Sequence, residues 1–532
     1  MSDKIVDIQE ISVNATWNWI FFIISTISNI ALNILYTNLL GPELYGEYKI
    51  VLMIYSLFNL STNLISGLAI IKYASAHDNK EKGISKEYFK VGLSTILMIK
   101  ACVFIIYIFI ISNIFGSVYS PEIIMYSKIY FIIILIEPIN TIFIAYNVAI
   151  YKIKRTFIIS SFIPLLSLVF SIIAFYFIEI SIMSLLISIL LSNLIISVIW
   201  IYVIIKDRLF SRFKYSDFKL LKQLFLYSIP FFISSAIFQG VNWADVFAVS
   251  VYSIGNSEYN VGIYSVARST FILIVGLMDS IIATLAPAFV NIYKKGDVKE
   301  LQGAIDKATK YISILSIFLS LSLIILSPML FNLIYPAYEL AVPILQIFLL
   351  ELPLGCTGRM LSQLISASNR KILYKSLVIP IIQSIVSIGL IYLFMIYFQL
   401  GLYGAVIGVL LGRISGVFYE LYFMKKVMKV GIKFKYFVNP LISGLITLCI
   451  LILPYYIFNF LDIYRTFNLI LKSAILFFVS CIFMILFSIV LILLRTFDDY
   501  DYKNLKIFCQ KRYLLTIFGK PILYLINKFK KS

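Results

Sequence analysis

The chain has 532 residues, 61% hydrophobic and only 13% charged, with a formal net charge of +19. Soluble globular domains carry about a quarter charged residues, so this composition excludes a water-surrounded fold. The lone histidine, His77, lies in a polar loop, and the five cysteines are scattered, so no catalytic triad, metal site or disulfide framework is expected. No residue qualifies as catalytic, and a non-enzymatic role is expected.

In chain order, apolar runs long enough to cross about 30 Å of hydrocarbon as helices fall at 12–38, 49–75, 88–113, 122–150, 157–178, 181–205, 221–252, 261–290, 306–334, 338–366, 373–398, 401–424, 437–459 and 468–494. This predicts an all-α polytopic membrane protein of about fourteen transmembrane helices. The alternating segments of an outer-membrane barrel are absent. Asp3, Lys4, Asp7 and Glu10 precede the first run, unlike a signal peptide, so the first helix is expected to be retained.

Basic residues set the direction. With the N-terminus in the cytoplasm, inner segments hold 36 of the 45 lysines and arginines, and outer connections only Lys49, Lys128, Arg465 and Lys472. Positive charge gathers on the cytoplasmic side of membrane proteins. Both termini are thus expected to be cytoplasmic in a cell membrane. The charge then serves anionic lipid head groups rather than nucleic acid. The tail 496–532 mixes apolar and basic residues and is read as interfacial helices.

A shift of 216 residues superimposes Gly46 and Tyr48 on Gly262 and Tyr264, Asn29 on Asp245, and Asn63 on Asp279. Both copies begin on the same side, which makes a parallel repeat and two pseudo-symmetric lobes. The glycines are read as turn residues. The predicted divisions are an N-terminal lobe (1–205), a basic cytoplasmic connector (206–220), a second lobe (221–424), two further helices (425–495) and the tail. Transporters place their site between such halves.

The segment Leu40-Gly41-Pro42-Glu43-Leu44-Tyr45-Gly46-Glu47-Tyr48 resembles the opening of the Wzx-type polysaccharide-biosynthesis flippases, within the multidrug, oligosaccharidyl-lipid and polysaccharide exporter superfamily. Asp245 followed by Val261-Gly262-Ile263-Tyr264 is similar to that family's junction between the seventh and eighth helices. The resemblance implies a two-lobed fold that moves undecaprenyl- or dolichyl-diphosphate-linked oligosaccharide to the outer leaflet. Drug exporters share the superfamily, so fold alone does not choose the substrate.

Charges within hydrocarbon are costly and face cavities or partners. Lys100 and Glu137 lie at nearly equal depth in the third and fourth spans, which predicts an ion pair; Asp245 and Arg268 form a second expected pair. Arg268 and Asp279 are eleven residues apart and share a helix face. Arg268, Arg359 and Arg413 are the candidate phosphate ligands, because guanidinium binds phosphate bidentately and keeps its charge. Pairing of the arginines with Glu351 or Glu420 is the alternative reading.

Asn14, Asn18, Ser25, Asn29 and Asn33 trace one face of the first helix. With Asn59, Asn63, Gln239 and Asn242 they form a candidate sugar-binding lining, the alternative being interhelical hydrogen bonding. Trp17, Trp19 and Trp243 are candidates for stacking on sugars. Gly404, Gly408, Gly412 and Gly416 recur every four residues, marking a close helix contact.

These residues favour a flippase for polyprenyl-diphosphate-linked oligosaccharide, in contact with membrane lipids and glycan-assembly proteins. No cofactor is expected beyond a coupling H⁺ or Na⁺, for which Asp245, Asp279 and Glu137 are the candidate sites. The competing readings are a drug or metabolite antiporter of the same superfamily, and a non-energised scramblase or membrane assembly factor.

Overall fold

A computed structural model describes residues 8–497, apart from the connections 79–81, 151, 208, 210–216, 286–288, 290–291, 294–296, 369, 461–468 and 495; in the first helix, side chains are described from Ile24 onward. Every regular element among the described residues is helical. Eleven helices are long and apolar enough to cross a membrane, and they match the third to sixth and eighth to fourteenth expected spans. The first, second and seventh spans fall in the helices Ile8–Asn59, Gly67–Asp78 and Asp217–Tyr252. The chain is a multi-pass helical membrane protein. The interfacial tail and most of the central connector lie outside the described residues.

The chain divides into two compact units, 1–265 and 266–532. Their boundary falls inside the eighth crossing, whereas the lobes read from sequence meet at the connector 206–220.

In the first unit, α1 (Ile8–Asn59) is two crossings joined by one residue. Gly41 alone leaves helical geometry, at φ 74° and ψ 175°. Pro42 bars the helical region to the residue before it, and glycine takes the positive φ without a Cβ clash. Tyr45 donates its hydroxyl to Asn33 Oδ1 at 2.7 Å, twelve residues back. The rings of Tyr36 and Tyr48 meet edge to face at 6.0 Å. Twelve residues of straight helix span about 18 Å, so the chain reverses at Gly41.

The second crossing is itself broken. After Asn59 the helix tightens into one turn, Leu60–Ile65, and Ser66 is extended at φ −69° and ψ 141°. α2 (Gly67–Asp78) restarts beneath Ser66, whose Oγ accepts from the Ala69 amide at 3.2 Å. α3 (Lys82–Ile106) follows. α4 (Pro121–Tyr130) opens with Ser120 as cap and proline in its first turn, a favoured start. α5 (Ile133–Ala149), α6 (Ile153–Phe177), α7 (Ile182–Lys206) and α8 (Asp217–Tyr252) complete the unit. Phe89, Phe143, Tyr146 and Trp200 lie in its core, and the rings of Phe143 and Trp200 are 4.4 Å apart.

The two copies of the repeat meet where α1 crosses the start of α9 (Ser257–Ala283). A Cβ on Gly46 would overlap the Glu258 carbonyl and come within 2.9 Å of the Gly262 nitrogen; a Cβ on Gly262 would overlap the Pro42 carbonyl. Pro42 and Glu258 are related by the same 216-residue shift as the glycines, so the contact is reciprocal. This corrects the reading of Gly46 and Gly262 as turn residues: both lie within helices and permit backbone contact. The turn conformations belong to Gly41 and Gly255, at φ 74° and 89°.

The second unit holds the rest of α9, then α10 (Val298–Ile334), α11 (Ala341–Ala367), α12 (Arg370–Ser376), α13 (Val378–Tyr392), α14 (Gly401–Phe423), α15 (Lys435–Phe460) and α16 (Leu469–Leu493). Asp297 caps α10, accepting from the Lys299 amide at 2.8 Å. The glycine seam of α14 lies against α13 and the turn after it: Cβ atoms at Gly404 and Gly408 would stand 2.9 Å from the Phe394 carbonyl carbon and 2.6 Å from the Ile391 nitrogen. α10, α15 and α16 share a core of Ile317, Leu321, Ile325, Phe483 and Phe487.

Candidate functional site

Two polar clusters stand out inside the apolar helices. The first lies at the break in the second crossing. A helix end leaves backbone carbonyls without intrahelical partners. Here the Asn59 carbonyl accepts from Lys100 Nζ at 3.0 Å, and Asn59 Oδ1 accepts from the same nitrogen at 2.5 Å. Asn59 Nδ2 donates to Glu137 Oε1 at 3.1 Å, and the Tyr55 hydroxyl donates to Glu137 Oε2 at 2.5 Å. Lys100 is fully buried. The expected Lys100–Glu137 ion pair is therefore corrected: Asn59 stands between the charges, because the freed carbonyl and amide together hold the ammonium. On the far side of the break, the Ser66 amide donates to Ser228 Oγ at 2.9 Å.

The second cluster lies in the second unit, on α9, α11 and α14. Glu351 Oε1 accepts from Arg359 Nη2 at 3.3 Å and from Arg413 Nη1 at 3.1 Å. Arg359 Nε also stands 3.6 Å from Asp279 Oδ1. Glu351 is 1% exposed, while the Asp279 side chain is 48% exposed. Cys356 Sγ lies 3.9 Å from Arg359 Nη1. Glu351, Gly355 and Arg359 are spaced by four on α11, so they share one face. Gly355 leaves room for the bridge, since a Cβ there would stand 2.8 Å from Glu351 Oε1 and 3.2 Å from Arg359 Nη1. Two of the three expected phosphate-binding arginines, and one expected ion-coupling carboxylate, are thus brought together. Glu351, read from sequence only as a possible partner, is their hub. Glu420 instead accepts from Ser362 Oγ at 2.7 Å.

The other candidates are dispersed. Asp245 accepts from Tyr264 at 2.9 Å and from the Val246 amide at 2.8 Å. Asn29 is exposed and donates to the Ser25 carbonyl at 2.9 Å. Asn33 accepts from Tyr45. Gln239, Asn242 and Trp243 on α8, and Arg268 on α9, are half-buried. The side chains of Asn14, Trp17, Asn18, Trp19 and Asn63 lie outside the described residues.

A family model described as "Polysaccharide biosynthesis protein" matches residues 13–293, just over half of the chain. The chain belongs to that family. The fold agrees with known transporters. The chain is similar to a structure titled "Lipid II flippase MurJ, inward closed conformation", with a TM-score of 0.67 and 18% identity over 90% of this chain and 98% of that one. It is also similar to an inward-facing multidrug resistance MATE family transporter of the MOP superfamily, with a TM-score of 0.65 and 18% identity over 76% of this chain and 95% of the other. No curated protein matches the sequence. At these identities the structural likeness establishes a common fold, that of membrane transporters and flippases. The polysaccharide biosynthesis family match covers the broken second crossing but not Glu351, Arg359 or Arg413.

Proposed function

We propose that the chain is a flippase that carries polyprenyl-diphosphate-linked oligosaccharide from the cytoplasmic to the outer leaflet of a cell membrane, with both termini in the cytoplasm. The observation that carries this reading is the pairing of Arg359 and Arg413 around a single buried carboxylate oxygen. Two guanidinium groups aimed at one oxygen atom also suit the oxygens of a diphosphate. Family membership supports a polysaccharide precursor as cargo, and the fold supports movement across a bilayer.

In this reading the amide-rich face of α1 and the polar residues of α8 bind sugar, with Asn18, Asn29, Asn33, Asn63, Gln239 and Asn242 as ligands. Arg268 joins the phosphate route. The polyprenyl tail stays among membrane lipids, and glycan-assembly proteins receive the product. A gradient of H⁺ or Na⁺ drives the cycle through Asp245, Asp279 or Glu137.

Reconstitution into liposomes with a labelled polyprenyl-diphosphate oligosaccharide tests the proposal. Protein-dependent exposure to an external glycosidase is expected, and it should fall at least about tenfold in a double variant, Arg359→Gln with Arg413→Gln. Unaltered exposure in the double variant, or none with the native chain, would reject it.

A further inference from the structure

Glu351 presents an unresolved half. Its Oε1 receives both guanidinium groups. Its Oε2 is sealed from solvent and has no hydrogen-bond partner among the described residues. A buried ionised carboxylate normally fills both oxygens with donors, and this one does not. Burial and an orphaned oxygen together mark a place where a proton is held, converting Oε2 from an unmet acceptor into a hydroxyl.

The surroundings define the charge balance. On α11 itself, Arg359 and the Cys356 thiol face the cluster. α9 supplies Asp279 and α14 supplies Arg413. Glu420, also on α14, is held by Ser362. α10 carries no charged residue between Tyr311 and Tyr335. With every group ionised, two cations meet two anions and the cluster is neutral. An incoming phosphate then gains little net attraction and must compete with Glu351 for the same donors. With one proton on Glu351 the cluster carries one positive charge, and the guanidinium groups are released from a carboxylate that no longer needs them.

We infer that Glu351 is the internal counter-anion of a phosphate-binding arginine pair, displaced by the cargo's phosphate and protonated as it is displaced. This rests on the flippase reading for the identity of the cargo, but the exchange itself is a property of the site. Linkage is reciprocal: a proton on Glu351 strengthens anion binding, and a bound anion draws a proton onto Glu351. Proton uptake on one side of the membrane and release on the other would then accompany loading and unloading. Asp279 is the weaker candidate for this role because its side chain is half-exposed and it meets one arginine only.

The test uses the full-length chain in detergent and inorganic sulfate, an oxyanion whose own charge is constant over the range examined. Binding is measured at about pH 5.5 and pH 8, and proton uptake is followed with a dye in weak buffer. The native chain should bind sulfate about tenfold more tightly at the lower pH and take up about one proton per sulfate near neutrality. Glu351→Gln should bind at pH 8 as the native chain does at pH 5.5, with uptake abolished. Asp279→Asn should retain both the pH dependence and the uptake, which guards against a general effect of removing a carboxylate. If Glu351→Gln keeps its proton uptake, or binds sulfate more weakly at pH 8, the inference is overturned; native binding that ignores pH overturns it even if no variant folds. Sulfate exchange as described without movement of lipid-linked oligosaccharide would instead leave the exchange standing and remove the flippase reading.

Discussion

Gly46 and Gly262 each pack against the carbonyl four residues before the other, at Glu258 and Pro42. The obstacle to a side chain at either position is backbone, which cannot rotate away as a side-chain tip can. Gly46→Ala or Gly262→Ala should therefore cost ~2 kcal/mol or more through forced separation of the helices. Thermal unfolding in detergent measures this directly. A melting temperature within a degree of the native chain for both variants would show that the crossing is loose.

Gly355→Ala has a different outcome, because the atoms in its way are the ends of side chains. The new methyl group would press on Glu351 Oε1 and Arg359 Nη1. Stability should change by less than about 1 kcal/mol, but the 3.1 Å bridge from Glu351 to Arg413 must lengthen. Sulfate binding at pH 8 is expected to tighten severalfold while melting hardly shifts. A large fall in melting temperature with unchanged anion affinity would contradict this geometry.

Lys100→Met keeps most of the apolar stem but removes the donor shared by the Asn59 carbonyl and amide oxygen. Two buried acceptors lose their donor, at a cost of about 2–3 kcal/mol. Asn59→Leu should cost a similar amount, and the double variant less than the sum, since both act on one network. Strict additivity in denaturation or melting experiments would mean that the two residues act separately.

Glu47 lies in the turn between the first two spans, half-buried. Burial, followed by the nearby charges of Glu122, Glu258 and Glu43, pushes its carboxyl from an ordinary value of 4.5 up to about 7. The folded chain thus holds this proton more tightly than the unfolded chain. Stability from this group is full below about pH 4.5, declines as pH rises towards 7, and is level above that. The decline should be about 1 kcal/mol after allowance for solvent screening at a half-exposed site. Melting temperature measured from pH 5 to 8 should show it, and Glu47→Gln should flatten that part of the profile.

The helix series was legible because each crossing needs a long apolar run, and the repeat because its glycines must keep their backbone contact. The polar clusters were legible in part. Lys100 and Glu137 are charged and level, so their proximity could be read, but the amide between them could not. Asn59 sits in Leu-Ser-Thr-Asn-Leu-Ile country without a nearby proline or glycine before Gly67, so nothing announced that the helix would break there and free a carbonyl. Glu351 and Arg359 were visible as spacing on one helix. That Arg413, 62 residues further on, reaches the same oxygen depends on how α11 packs against α14, which local pattern does not encode.

Gly41 is the sole non-helical residue between the first two crossings. A tether of one residue has no slack to let one rod slide or tilt while the other stays still. The antiparallel pair is mechanically a single lever, and any hinge for large movements must be sought elsewhere, with the interruption at Leu60–Ile65 offering the nearest compliant joint.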